Sequence, residues 1–327
     1  MHSPSKTLAT LRPELALLFM EWNREMSRRG FISQRVLPVR EVTEQAGTLP
    51  HIPLEQLLKG AQTRRNAGGD YNRVGFTFGD KSYACERHGI EVPIDDYNAA
   101  KYRHFFDAET VAVMLAYNTV MTAAEKRAAA LIFNTTTWTG SALSTAVGTE
   151  WSVLATATPV DDVAAAKNRI WVASGLVANA LIICYPVWEN LRRVKQIKDD
   201  VASAGAGSSS MAGDISVEMV ARALGLDFLF VAGAPENTAN EAAARSLAPI
   251  WDDEYAMVCR VVTQRFAEVD PGIGITAHWG EDGSEVGGMV ETYRDEPVGG
   301  DVVRVRHDVD ELLLYKEAGH LLSNITA

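Results

Sequence analysis

The sequence predicts an α+β fold: an extended front third, one long helix, then a mixed α/β body that ends in strands. Three observations carry this. Residues 31–47 and 73–85 are rich in β-branched and aromatic residues and are punctuated by Pro38 and several glycines, a composition suited to extended chain. Residues 107–133 contain neither proline nor glycine and repeat apolar residues at three-to-four-residue spacing, the period of a helix. Beyond residue 178, short apolar runs alternate with helical stretches, and from residue 274 Gly-rich turns separate strand-like runs.

Taken in order, residues 11–28 read as a helix with Leu15, Leu18, Phe19 and Trp22 on one side. Residues 31–47 read as extended. Residues 49–58 and 73–85 are two strand-like runs flanking 59–72, which holds Lys59, Arg64, Arg65, Gly68, Gly69 and Asp70. Val74, Phe76 and Phe78 alternate with Gly75, Thr77 and Gly79, a strand period of two. Such a long hairpin-like loop leaves apolar residues uncovered within one compact domain, and another copy of the chain is the expected cover. In 107–133, Asp107 suits an N-cap and Glu109 complements the positive end of the helix dipole. Val111, Met114, Leu115, Met121, Ala124, Ala128, Leu131 and Ile132 form the expected buried stripe. At 1.5 Å per residue this helix is ~40 Å long. Thr135, Thr136 and Thr137 favour an extended exit.

In the body, residues 161–176 read as a helix capped by Asp161 or Asp162, and 180–185 as a buried strand. Residues 187–198 read as a helix with Arg192, Arg193, Lys195 and Lys198 toward its C-terminal end. A Gly/Ser loop covers 203–213. A short helix follows at 216–224 with Gly225 as C-cap, then a strand at 228–232. Strands are expected at 274–279, 286–293, 302–309 and 311–316.

Composition narrows the function. The chain has 327 residues, and about 150 residues per domain suggests two domains. Hydrophobic residues at 47% and charged residues at 22% exclude a disordered chain. A net charge of −11 disfavours a dedicated nucleic-acid binder, which carries a basic footprint. Three cysteines make no disulfide framework and point to a reducing compartment. The N-terminus lacks the apolar core of a signal peptide. The longest apolar stretch, 178–185, is broken by Asn179 and falls far short of the ~20 residues of a membrane helix. The charge is unevenly spread. Residues 1–105 hold 15 Lys and Arg against 12 Asp and Glu, whereas 106–327 hold 16 against 30. A basic arm of one copy lying on the acidic body of another would use that asymmetry.

Chemical motifs fail on context. Gly79-Asp80-Lys81-Ser82 resembles the end of a phosphate loop, but Asp80 stands where a glycine is needed. Gly205, Gly207 and Gly213 hint at a dinucleotide loop, with Ser210 at the third glycine's place. Cys85 and His88 are half of a metal spacing without a second half. Asp252, Asp253 and Glu254 read as a solvated or interface patch rather than a metal cluster. Core or interface packing accounts for the seven tryptophans better than base stacking.

Basic N-terminal arm, long extended loop, long spine helix, mixed domain, terminal strands: in that order the sequence resembles the major capsid proteins of tailed bacteriophages. Phe31-Ile32 followed by Val36-Leu37-Pro38-Val39 resembles the family's entry into its arm. Asn237-Thr238-Ala239 and Ile250-Trp251-Asp252-Asp253 resemble a stretch of its axial domain. Asp310 with Ala318-Gly319-His320-Leu321-Leu322 and Asn324 resembles its C-terminal end, where Tyr often replaces His320. The resemblance covers nearly the whole chain.

It implies an N-terminal arm at 1–45 and an extended loop at 46–105. It further implies a peripheral domain at 106–176 and 266–312, built on the spine helix 107–133, and an axial domain at 177–265 and 313–327. It implies hexamers and pentamers in an icosahedral virion head around double-stranded DNA contacted non-specifically, assembled in the bacterial host cytoplasm. Expected partners are a portal protein and a decoration protein; the family's extra N-terminal scaffolding segment finds no counterpart, which implies either a separate scaffolding protein or a sequence already processed, with Met1 favouring the separate scaffold. The Lys and Asn of the family's covalent crosslink find no match. No catalytic residue, metal, cofactor or membrane is implied. The expected inter-subunit contact sets the loop tip, Lys59, Arg64, Arg65 and Arg73, against an acidic patch of a neighbour, with Asp252, Asp253 and Glu254 chosen on charge. The alternatives are an encapsulin-like nanocompartment shell and a cytosolic α/β enzyme using the 205–213 loop.

Overall fold

The computed structural model describes residues 10–11, 30–61, 63–65, 69–73, 75, 77–102, 107–203, 215–239, 243–262, 271–280, 288–297 and 299–326. In the front third, β1 (Thr10–Leu11) is a short edge strand, α1 (Ser33–Val36) is one helical turn, and β2 (Val39–Val42) follows Pro38. Strands β3 (Ala46–His51) and β4 (Gly79–Ala84) form an antiparallel ladder with Thr48 opposite Ser82, and α2 (Leu54–Leu57) makes a turn between them. β5 (Glu86–Asp95) alternates half-buried His88, Ile90, Val92 and Ile94 with exposed neighbours, and α3 (Asp96–Tyr102) follows. The long helix is α4 (Ala108–Ile132). The body then contains β6 (Ser144–Ala146), α5 (Pro159–Ser174), β7 (Ala180–Cys184), α6 (Tyr185–Leu191), α7 (Lys195–Val201), α8 (Val217–Ala223) and β8 (Phe228–Ala232). Strands dominate the remainder: β9 (Pro235–Asn237), β10 (Leu247–Pro249), β11 (Ala256–Cys259), β12 (Gly274–Trp279), β13 (Met289–Asp295), β14 (Gly300–Leu313) and β15 (Gly319–Ser323).

Two larger sheets organise these elements. A six-stranded sheet runs β1-β13-β14-β12-β2, with β5 paired along β14. β14 is its centre: β13 pairs with residues 300–306, β12 with 309–313, and β5 with 300–309. Helix α4 lies on this sheet. Ala112 and Ala116 bring the helix close, while Val113, Tyr117, Val120 and Met121 pack on Val290, Val303 and Val305. The sheet's other face carries charge, with Arg87 paired to Asp308, Arg304 to Glu91 and Arg306 to Glu291.

A five-stranded sheet runs β6-β15-β11-β7-β8. β7 is buried at every residue and parallel to β8, the continuous apolar strand that a doubly covered sheet requires. Trp138, Trp151 and Trp251 are fully buried in the same core as Leu181, Ile182 and Ile183. Burial of each such aliphatic side chain contributes about 1.5–3 kcal/mol. The inner face of α5 (Val163, Ala166, Ile170) joins that core. Residues 138–174 thus pack with the five-stranded sheet, not with the sheet under α4 where the resemblance placed them. β2 and β5, expected in the arm and the loop, are strands of the six-stranded sheet.

Several local expectations change. Residues 33–36 are helical rather than extended, because the Ile32 and Ser33 N–H groups are drawn onto Glu125. The run 73–85 becomes strand only from Gly79; Gly75, Thr77 and Phe78 lie outside regular structure, and Val74 and Phe76 lie outside the described residues. In the run 49–58 the strand ends at His51, and Pro53 starts the α2 turn. Val111 and Leu115, assigned to the buried stripe of α4, are 46% and 56% exposed, while their neighbours Ala112 and Ala116 are buried. Thr135–137 form a turn, closed by Asn134 Oδ1 accepting from Thr136 N at 2.9 Å. Thr158, not Asp161 or Asp162, stands at the N-cap of α5, with both aspartates in the first turn. The single helix expected at 187–198 is two, because Val194 is extended and buried and Lys195 N donates to Leu154 O at 2.9 Å. The strands expected at 302–309 and 311–316 are one, β14. The helix expected at 11–28 and the loop at 203–213 lie almost wholly outside the described residues, which include Leu11, in β1, and Ser203.

Candidate assembly surface

The loop between β3 and β4 is fixed at its base and exposed at its tip. Tyr315 Oη donates to Ile52 O at 2.8 Å, and Thr77 N donates to Gln56 Oε1 at 2.9 Å. Leu58 sits over Gly175, the left-handed residue (φ 69°) that ends α5; a Cβ there would lie 2.9 Å from Leu58 Cδ1. At the tip, Lys59, Arg64, Arg65 and Arg73 are all exposed. Arg65 folds back on its own loop: Nε donates to Gly69 O at 2.5 Å, and the guanidinium lies 4.6 Å from the Tyr71 ring centroid, a cation–π contact. Tyr71 is 71% exposed and Phe78 61%.

The acidic residues sit beside a buried anchor. Trp251 is buried, whereas Asp252 and Glu254 are exposed and Asp253 is half-buried. Asp252 Oδ1 accepts from Glu254 N at 3.0 Å, Glu254 O from Ile325 N at 3.1 Å, and Asp253 O from Thr326 Oγ1 at 3.0 Å. The backbone of the patch is therefore tied to the C-terminal segment while its carboxylates face solvent. Among the described residues, no hydrogen bond or ion pair joins the loop tip to this patch within one subunit.

Two further exposed apolar pairs escaped the sequence reading. Val111 and Leu115 stand one turn apart on the outer side of α4, and Trp171 (59%) and Val172 (73%) are exposed on α5. Large apolar side chains held outside a core mark surfaces that meet something else. The signal was present in the sequence, but α4 is apolar on so many sides that spacing alone does not choose its inward face.

Two of the motifs weighed for chemistry are structural here, while the 205–213 loop lies outside the described residues. Gly79–Ser82 is ladder strand, not a phosphate loop. The three cysteines are buried and unpaired. Burial pushes the Cys85 thiol up to about 11, aided by Asp310 and Asp308, and pushes Cys184 up to about 12, so neither supplies a thiolate near neutral pH. Among the described residues no group of three His, Cys, Asp or Glu could hold a metal ion, and no helix is long and apolar enough to cross a membrane.

No family model matches the chain. It is 24% identical over 319 residues to a major capsid protein of Pseudomonas phage JBD67, covering 96% of this chain and 97% of that one. Its structure is similar to that of a phage-related protein from Bordetella bronchiseptica, with a TM-score of 0.71, 17% identity and 98% of each chain covered. It is also similar to the SrpI encapsulin of Synechococcus elongatus, with a TM-score of 0.51, 13% identity, 99% of this chain and 92% of that one covered. The chain therefore has the fold of that phage-related protein and of that encapsulin shell protein, over nearly the whole of each chain.

Proposed function

We propose that this chain is the major capsid protein of a tailed phage, a structural protein whose copies build the shell of the head. The carrying observation is the likeness, end to end in both chains, to a phage major capsid protein. The likeness to an encapsulin concerns the fold alone, so the nanocompartment remains the second reading; packaged DNA in purified particles separates the two. In the phage reading the copies form hexamers and pentamers of an icosahedral shell around double-stranded DNA, with a portal protein, a separate scaffolding protein and a decoration protein as partners.

Contacts between copies then give the charge asymmetry a use. The loop tip (Lys59, Arg64, Arg65, Arg73) lies on an acidic surface of the next subunit, with Asp252, Asp253 and Glu254 as the candidate acceptor. One exposed ion pair is worth about 0–1 kcal/mol, but a shell repeats each contact in every copy. Electron microscopy of the expressed protein tests both levels. Closed particles are expected from the wild-type chain. Deletion of residues 59–72 is expected to leave a folded subunit that forms no shells, and normal shells from that variant refute the loop contact.

A further inference from the structure

Two stretches far apart in sequence, the arm entry at Phe31-Ile32 and the Ile250-Trp251-Asp252-Asp253 segment, meet on one side chain. Glu125 lies in the C-terminal half of α4 and is fully buried. Its Oε1 accepts from Ile32 N at 2.9 Å and from Trp251 Nε1 at 2.7 Å, and its Oε2 accepts from Ser33 N at 2.9 Å. A carboxylate taken out of water is costly unless donors replace the water, and here three N–H groups do so through charge-assisted bonds. Each donor belongs to a segment that α4 must hold: two to the arm, one to the stretch that enters β11.

The surroundings make the same junction. Gly30 and Gly233 cross backbone to backbone, with Gly233 N donating to Gly30 O at 3.0 Å. Gly30 has φ 85°, and a Cβ on it would lie 2.2 Å from Gly233 N. The Arg35 guanidinium lies 4.7 Å from the Phe230 ring centroid in β8. Phe133, at the end of α4, meets Trp251 edge-on at 5.0 Å. The arm therefore enters the body where it touches the long helix and β8, on the same carboxylate that holds Trp251.

We infer that Glu125 is the positioning residue of the N-terminal arm: its carboxylate locks the turn at residues 32–36 onto α4 and couples it to Trp251, so that the direction of the arm, and through it shell closure, depends on this one group. The locking is a property of the single subunit; only the effect on closure rests on the shell reading above.

Glu125→Gln tests it. The amide keeps the size and one accepting oxygen but sets an NH₂ against a backbone N–H, so one of the three bonds is replaced by a donor–donor clash. Hydrogen exchange followed by mass spectrometry is expected to show peptide 30–37 exchanging at least tenfold faster, with β7 and β11 unchanged, and electron microscopy to show open or malformed particles. Trp251→Phe, which removes the indole donor together with part of the ring's buried volume, is expected to give the same localised loosening in milder form, and decides the matter if the Gln variant does not fold. Unchanged exchange at 30–37 overturns the inference. So does faster exchange spread evenly over β7 and β11, which would make Glu125 a general core support. Normal shells from a variant with a loosened arm overturn its link to closure. If the wild-type chain forms no shells while the localised loosening still appears, the shell reading fails and the locking stands.

Discussion

Asp308 on β14 has a side chain only 1% exposed, and Arg87 on β5 holds it through Nε at 3.0 Å and Nη2 at 2.9 Å. Removing one partner strands the other: a fully buried pair costs about 3–5 kcal/mol to break in this way. Because Arg87 is itself half exposed, Arg87→Ala is expected to cost about 2 kcal/mol, read as a shift in the urea midpoint. His320 gives a pH dependence. It is fully buried, with Nδ1 donating to Ala142 O at 2.9 Å and Nε2 3.1 Å from Thr145 Oγ1. Burial, assisted by Arg169, lowers its pKa below the ordinary histidine value, against the Ala142 hydrogen bond. Folding thus favours the neutral ring, and its contribution is complete above about pH 6.5 and lost as pH falls through the lower, folded value. Between pH 7.5 and 5.5 the thermal midpoint is expected to fall, and less steeply in His320→Gln; His88, also lowered by burial, keeps some slope. The sequence foretold that the cysteines would not form a disulfide framework. It did not reveal Glu125, whose partners stand 93, 92 and 126 residues away, because a glutamate in a helix carries no sign of what will fold over it.

At the level of elements, the limits of α4 were readable and its inward face was not. Asp107 and Phe133 flank α4 as expected, since the ends depend on local signals. Which side turns inward depends on the sheet, and the sheet accepted the alanine-lined side because small residues let the backbone approach. Val111 and Leu115 were left outside. Leu115→Glu is therefore expected to change subunit stability by no more than about 0.5 kcal/mol, as substitutions at exposed sites usually do, yet to block particle formation, as seen by sedimentation. Unaffected particles would mean that this face of α4 meets nothing in the shell. The break between α6 and α7 was unreadable for a similar reason: the Lys195 N–H bonds to Leu154, outside its own helix. By contrast β7, β8 and β12 were read almost to the residue, because a short apolar run between turn signals leaves little choice.

For the whole molecule, the order of parts was legible and their pairing was not. Sheet neighbours are fixed by contacts between distant segments; β5 and β14, the most intimate pair, come from opposite ends of the chain. Residues 1–105 were expected to lean on other copies, but Ile32, Val36, Leu37, Leu49, Tyr83 and Cys85 are buried within the subunit, and it is the loop tip that stays exposed. Since copies that bind only the folded state stabilise it by mass action, assembled particles are expected to melt at a higher temperature than dissociated subunits in differential scanning calorimetry. Equal midpoints would mean that the contacts add nothing to the fold.

The placement of β15 also governs timing. It lies inside the five-stranded sheet, between β6 and β11, with Leu322 opposite Ala256 on one side and Thr145 on the other. Until Gly319–Ser323 has been translated and has left the ribosome, β11 has an open edge and β6 has no partner in that sheet. A nascent chain that already carries β1 to β14 still lacks a complete five-stranded sheet. On the proposed shell reading, copies are therefore expected to associate only after β15 has joined the sheet.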